Sequence, residues 1–119
     1  MRAVLIDVYN KEIKEVTLDP SKNMLKQYHD HIKCDTMTVA HYINNHDSIL
    51  VDDEGLLKSP KHFFHYEGGH QPFAGNGLIL GLNREGETVK CNISLEEVKE
   101  NVLFYSTYEM LGSMISGKF

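Results

Sequence analysis

The sequence predicts an α+β fold, with a curled antiparallel sheet or half-open barrel and two helices. Strand-like segments come in pairs joined by short polar turns, two segments have helical spacing, and one apolar run suits a central strand. Paired strands with interspersed helices are typical of the α+β class, whereas a doubly wound fold alternates strands with helices. The length of 119 residues suits one domain, which we assign to residues 1–111.

The first predicted unit is a hairpin followed by a helix. Residues 2–9 and 12–18 alternate between apolar and polar side chains, with two polar residues between them. Asp19 suits a helix cap and Pro20 suits the first helical position, so we expect a helix ending near Lys33. Its expected apolar stripe comprises Met24, Leu25, Tyr28 and Ile32.

A second hairpin follows. Residues 36–43 alternate again, and residues 48–51 form a short apolar partner beyond a polar turn. The acidic segment 52–54 ends this hairpin in another turn. We expect Leu56 and Leu57 to pack back on the core.

The second half of the chain contains more strands and an irregular loop. Residues 62–66 are predicted to form an aromatic strand, and residues 78–82 an apolar central strand. Between them, residues 68–77 include four glycines and one proline, which excludes a helix. Residues 87–92 are predicted to form a further strand.

A helix is predicted after residue 93. Ser94 and Glu97 have the spacing of a capping box. Apolar residues then recur at helical spacing, and we expect the helix to include Leu95, Val98, Val102 and Tyr105. Residues 112–119 have no clear period and are expected to form a flexible tail, unless apolar residues between 110 and 115 pack in a homo-oligomer.

Composition excludes several functional classes. The net charge is −5, and the chain has only two arginines, which argues against general nucleic-acid binding. No apolar run approaches the ~18 residues of a membrane span, and the first residues lack the apolar region of a signal peptide. Cys34 and Cys91 are too few for a disulfide scaffold. We therefore expect a cytoplasmic protein.

Several segments in order resemble a family of small proteins of unknown function encoded by phages and bacterial mobile elements. The resemblance covers about residues 2–104, and its most specific parts are VDDEGLLK and QPFAGNGLILG. The other segments are AVLIDVYNKEIKEVTLD, CDTMTVAHYI and GETVKCNISLEEVKENV. The resemblance implies a compact α+β domain and an accessory role in phage biology. The histidine-rich segments 29–31 and 62–70 do not match that pattern, and no catalytic residue carries over.

Histidines and carboxylates are the candidates for metal chemistry. His62, His65 and His70 are weak candidate ligands because their spacing matches no known metal motif. Asp52 and Asp53 suit a hard cation, but an acidic β-turn is the favoured interpretation. A small metal-dependent hydrolase or nuclease that uses these five residues is the alternative function.

The glycine-rich loop and its aromatic neighbours form the candidate binding site. Glycine lets backbone N–H groups approach an anion, and aromatic rings stack on a base or ring. A structural loop across the end of the sheet is the competing interpretation. The candidate residues are Phe63, Phe64, Tyr66, Gly68, Gly69, His70, Gln71, Phe73, Gly75 and Asn76.

The sequence therefore predicts a non-enzymatic accessory protein that acts by binding and needs no cofactor. It would inhibit a host protein, in a counter-defence setting, or sequester a nucleotide-like small molecule. Homo-oligomerisation is compatible with either activity.

Overall fold

A sheet of six antiparallel strands organises the fold. The structure, a computed structural model, describes residues 1–106, so the predicted domain end at residue 111 and the predicted tail 112–119 lie outside the described residues. The strands are β1 (Arg2–Asp7), β2 (Glu12–Thr17), β3 (Met37–Tyr42), β4 (Asp47–Asp52), β5 (His62–Tyr66), β6 (Phe73–Ala74), β7 (Gly77–Leu82), β8 (Thr88–Val89) and β9 (Val102–Ser106). The helices are α1 (Met24–Ile32) and α2 (Leu95–Asn101).

Strand β7 lies at the centre of the large sheet, as its apolar sequence predicts. The strand order is β2-β1-β7-β4-β3, and β8 pairs with the end of β7. The two predicted hairpins therefore flank a strand that comes much later in the chain. Every pairing is antiparallel, and the sheet is not closed into a barrel, which confirms the α+β class.

The three central strands of the large sheet, β1, β7 and β4, are buried on both faces. Alternate residues of β1 face opposite cores: Val4 and Ile6 lie in one, and Ala3 and Leu5 in the other. This follows from the two-residue period of a strand. On one side α1 covers the sheet with Tyr28 and Ile32. On the other side the sheet packs against α2 and a second, three-stranded sheet of order β6-β5-β9.

The predicted continuation of the second helix is wrong. The helix begins as expected, because the Ser94 hydroxyl accepts a hydrogen bond from the Glu97 backbone N–H at 3.1 Å. It ends at Asn101, and Val102–Ser106 form β9 in register with β5. The β-branched Val102 and the aromatic Phe104 oppose Tyr66 and Phe64 there, so a distant strand overrides the helical spacing.

The predicted start of the first helix is also wrong. The Asp19 carboxylate accepts hydrogen bonds from the backbone and hydroxyl of Ser21, which satisfies it in a local turn. Asn23 caps the helix instead, through the Lys26 backbone N–H at 3.1 Å. Leu25, predicted for the apolar stripe, is 53% exposed.

Two further differences concern the second half of the chain. The strand expected at residues 87–92 is restricted to Thr88–Val89, and the Cys91 backbone N–H then bonds to the Arg2 carbonyl. Within the irregular segment 68–77, the structure forms the short strand β6. No helix among residues 1–106 is long and apolar enough to cross a membrane.

Candidate functional site

The aromatic residues predicted for the binding site contribute to the core. Phe63, Phe64 and Tyr66 lie on β5 and are 2%, 0% and 4% exposed. Phe64 and Tyr66 pack between the two sheets. Burial, with the charges of Glu97 and Asp47, raises the pKa of Tyr66 to about 12, so its phenol stays neutral at physiological pH. These three rings are therefore buried, and their faces do not line an open surface.

The first part of the glycine-rich loop contains His70 and lies beside His41 and His65. Gly68 takes a φ of +89°, which turns the chain after β5. The ring Nε2 of His65 then lies 2.9 Å from the Gly69 carbonyl oxygen, and the His41 ring contacts Tyr66 at 5.6 Å between centroids. Burial, reinforced by repulsion from His65 and His70, lowers the pKa of His41. His70 itself is exposed.

The last part of the loop anchors the fold. Asn76 is 2% exposed, and its side-chain oxygen accepts from the Val8 N–H at 3.0 Å. Its amide nitrogen donates to the His31 carbonyl, also at 3.0 Å. Asn76 therefore joins the end of β1, the end of α1 and the start of β7. Gly75 has a φ of +80°, a backbone conformation that favours glycine and that precedes the buried Asn76.

The middle of the loop lines an open groove. Gln71, Pro72, Phe73 and Ala74 form one side of a cavity of about 280 Å³, which we call the apolar groove. The Phe73 ring lies 5.5 Å from that of Phe64 and so connects the groove to the core. The remaining lining comes from β3 (Thr38, Ala40), the end of β4 (Val51, Asp52) and the adjoining residues Asp53, Gly55, Leu56 and Leu57.

A single 3-10 turn, Gly55–Lys58, presents two leucines at the edge of this groove. Leu56 is 66% exposed and Leu57 is 83% exposed. The expectation that they pack back on the core is therefore wrong. The turn approaches β6 so closely that a Cβ on Gly55 would lie 3.1 Å from the Ala74 carbonyl oxygen. The base of the turn therefore lies close against β6, while the two leucines are exposed.

The carboxylate of Asp52 stabilises the same turn. One oxygen accepts from the Glu54 backbone N–H at 2.9 Å, and the other binds the Lys58 ammonium at 2.7 Å. That hydrogen bond raises the pKa of Lys58. Asp52, proposed above as a metal ligand, is thus occupied within the protein. Asp53 and Glu54 are exposed beside the groove.

A second cavity lies on the other side of the contact between Gly55 and Ala74. Its volume is about 80 Å³, and we call it the lysine cleft. The Lys33 ammonium lies 4.7 Å above the Tyr9 ring, and the His62 ring meets Tyr9 edge-on at 5.3 Å. The lining of the lysine cleft consists of Tyr9, Ile32, Lys33, Asp52, Gly55, Lys58, Pro60, Lys61, His62, Ala74 and Gly75.

The histidines predicted as weak metal ligands do not converge. His62 contacts Tyr9 in the lysine cleft, whereas His65 bonds to the loop at Gly69. Within the described part of the chain, no group of three or more His, Cys, Asp or Glu residues is placed to hold a metal ion. Nothing in the geometry therefore favours the hydrolase or nuclease.

Cys34 and Cys91 are buried, and burial raises the pKa of both thiols, which lowers their reactivity. A depression of about 470 Å³ lies between β2 and β9 and is lined by Lys11, Glu12, Ile13, Lys99, Val102 and Phe104. It contains none of the residues predicted for binding.

The sequence identified part of this site and missed the rest. Gln71 and Phe73 line the apolar groove as candidate residues, but the two leucines were assigned to the core. Their signal was an apolar pair directly after three acidic residues and a glycine, a context that favours an exposed turn. No sequence pattern indicated Lys33 and Lys61, because these lysines and Tyr9 line one cavity only after three separate segments fold together.

Comparison with known families gives one assignment. Residues 1–103 match DUF3846, a domain of unknown function. The match spans most of the chain, which therefore belongs to this family. Comparisons with curated proteins and with solved structures gave no significant match.

Proposed function

We propose that this member of the DUF3846 family acts by binding a segment of another protein across the apolar groove and the adjoining 3-10 turn. The observation that carries the proposal is the exposure of two adjacent leucines, Leu56 at 66% and Leu57 at 83%, beside a groove floored by Phe73. Contiguous exposed apolar surface marks interaction sites in proteins of this size.

Burial of the leucines supplies the driving force. Covering a fully exposed leucine contributes roughly 1.5–3 kcal/mol. The contact between Gly55 and Ala74 and the ion pair between Asp52 and Lys58 hold the turn in place before binding. A preorganised turn loses little conformational entropy when a partner covers it.

Charge selects the partner. The chain has a net charge of −5, and Asp53 and Glu54 are exposed beside the leucines. A partner segment with apolar side chains flanked by lysine or arginine complements this surface. Such complementarity accelerates association and discriminates against acidic competitors.

The sequence resemblance supplies the biological setting of the proposal. An accessory protein of a phage or mobile element would act in the host-cell cytoplasm and inhibit a host protein by occupying its surface. Counter-defence fits a small protein that acts by binding. This setting rests on analogy, whereas the docking surface rests on geometry.

Site-specific photo-crosslinking tests the proposal. A photoreactive amino acid replaces Leu57 in one protein and Leu25 in a matched control, since Leu25 is also exposed, at 53%, but lies on α1. In host extract, the position 57 probe should crosslink one protein through a basic and apolar segment, and the position 25 probe should not. The Leu56→Gln substitution should abolish that crosslink.

Two results would contradict the proposal. Equal crosslinking from both positions would show non-specific contact. Crosslinking only to a second copy of this chain, with a matching dimer in native mass spectrometry, would assign the leucines to self-association.

A further inference from the structure

We infer that the lysine cleft binds the phosphoryl group of a small phosphorylated molecule. Lys33, Lys58, Lys61 and His62 surround a cavity of about 80 Å³ in a chain whose net charge is −5. The cleft thus concentrates positive charge against the overall balance of the protein. This site is separate from the leucine surface and goes beyond the proposed protein docking.

The two lysines that carry the inference are available to an anion. Among residues 1–106, Lys26 and Lys58 each bind a carboxylate at 2.9 and 2.7 Å, whereas no carboxylate lies within 4 Å of Lys33 or Lys61. The Tyr9 ring, 4.7 Å from the Lys33 ammonium, positions this ammonium while its N–H groups keep their capacity to donate to an oxyanion.

The carboxylate that lines the cleft is already paired. Asp52 lines the cleft, but its carboxylate binds Lys58 and the Glu54 backbone N–H. The C-terminal end of α1 also faces this region, and two of its carbonyl groups are occupied. The His31 carbonyl accepts from Asn76, and the His29 carbonyl accepts from the backbone N–H groups of residues 33 and 34.

Size restricts the ligand to one compact anionic group. A volume of about 80 Å³ equals that of two to three water molecules at ~30 Å³ each, which suits a tetrahedral oxyanion and excludes a nucleoside. Asp52, Gly55 and Ala74 line both this cleft and the apolar groove. The two cavities therefore adjoin, and the organic part of a phosphate ester would lie outside the cleft, with the apolar groove as the neighbouring apolar surface.

Nuclear magnetic resonance titration of the full chain tests the inference at constant ionic strength. Inorganic phosphate should shift the resonances of Tyr9, His62 and Gly75 in a saturable manner. Adenosine monophosphate distinguishes the source of the phosphoryl group. Tighter binding with added shifts at Phe73 indicates an ester ligand, and equal affinity indicates recognition of phosphate alone. Both outcomes support the cleft as the site.

Matched lysine substitutions decide whether the effect is local. Lys61→Gln removes one exposed charge, and Lys33→Asn removes another with a residue that tolerates the φ of +64° at this position. Each should weaken phosphate binding about tenfold, corresponding to ~1.4 kcal/mol. Lys22→Gln, an equal charge change at an exposed site outside the cleft, should have no effect.

Three results would overturn the inference. The first is the absence of shifts at Tyr9 and His62 at millimolar phosphate. The second is equal weakening by Lys22→Gln, which would show non-specific ionic attraction. The third is undiminished phosphate binding in the double variant of Lys33 and Lys61. Because Leu56→Gln and Leu57→Gln leave these lysines intact, phosphate binding should persist in those variants.

Discussion

The central strand β7 and the 3-10 turn carry similar aliphatic side chains, but the strand buries them and the turn exposes them. On β7, Leu78 and Ile79 are 0% exposed, because a core covers each face of the strand. On the turn, Leu56 and Leu57 are 66% and 83% exposed. One pair of side chains stabilises the fold, whereas the other remains exposed and is the pair that we propose to bind a partner.

The difference lies in the neighbours. Strand β7 pairs with β1 and β4 along its length, so its side chains enter two preformed layers. The turn meets the domain at its base, where Gly55 lies against Ala74. Hydrophobicity alone therefore does not separate core residues from binding residues, since the position of the backbone relative to the layers decides.

The largest effect on folding is expected from a ring that the sequence assigned to binding. Phe64→Ala removes a fully buried side chain between the two sheets and should destabilise the protein by about 3–5 kcal/mol. Urea denaturation measures this loss. A change below 1 kcal/mol would contradict the assignment of Phe64 to the core, and would return it to the binding surface.

A smaller loss is expected at the anchor of the loop. Asn76→Ala leaves the buried Val8 N–H and the His31 carbonyl without their partner, which should cost about 2–4 kcal/mol at ~1–2 kcal/mol for each group. The matched control is Asn45→Ala in an exposed turn, expected within ~0.5 kcal/mol of the wild type. Thermal or urea unfolding of the pair distinguishes anchoring from a general loss of asparagine.

The pH dependence of stability should reflect the partly buried histidines. Burial lowers the pKa of His31 and of His41, and repulsion from His65 and His70 adds to the effect at His41. As pH falls below the unfolded value of ~6.5, the unfolded chain binds protons that the folded chain resists, so stability decreases. Urea midpoints at pH 7.5 and 5.5 should show this decrease, and His41→Gln should reduce it. Equal midpoints at both pH values would contradict it.

The smallest effect on folding is expected at the turn. Leu57→Gln changes a side chain that is 83% exposed, so the free energy of unfolding should stay within ~0.5 kcal/mol of the wild type. Urea denaturation beside Phe64→Ala provides the direct contrast. A loss above 2 kcal/mol would mean that Leu57 packs in the folded protein and is not available to a partner.

Local patterns predicted the parts of the fold that local forces determine. The two hairpins, the central position of β7 and the Ser94 cap followed from alternation, turn residues and capping chemistry. Local patterns did not predict strand β9. Val102 has helical spacing along the chain, and it becomes extended through pairing with Tyr66. The cap of α1 moved from Asp19 to Asn23 since a local turn satisfied Asp19 first.

The candidate site was only partly accessible to the same reasoning. The glycine-rich segment was recognised as irregular, yet its residues separate into an anchor at Asn76, a groove wall at Phe73 and a histidine contact at Gly69. Sequence patterns do not reveal such a division, because each part depends on a different distant element. The lysine cleft likewise depends on the fold, which places Lys33, Lys61 and Tyr9 around one cavity.

The most direct test of the central claim is the affinity of the crosslinked partner for three purified forms of the protein. These are the wild type, the Leu56→Gln/Leu57→Gln double variant and the Leu25→Gln control. If the turn is the binding surface, the double variant should bind at least about tenfold more weakly, equivalent to ~1.4 kcal/mol, while the control binds as the wild type does. Unchanged affinity in the double variant would contradict the claim, and so would an equal loss in the control.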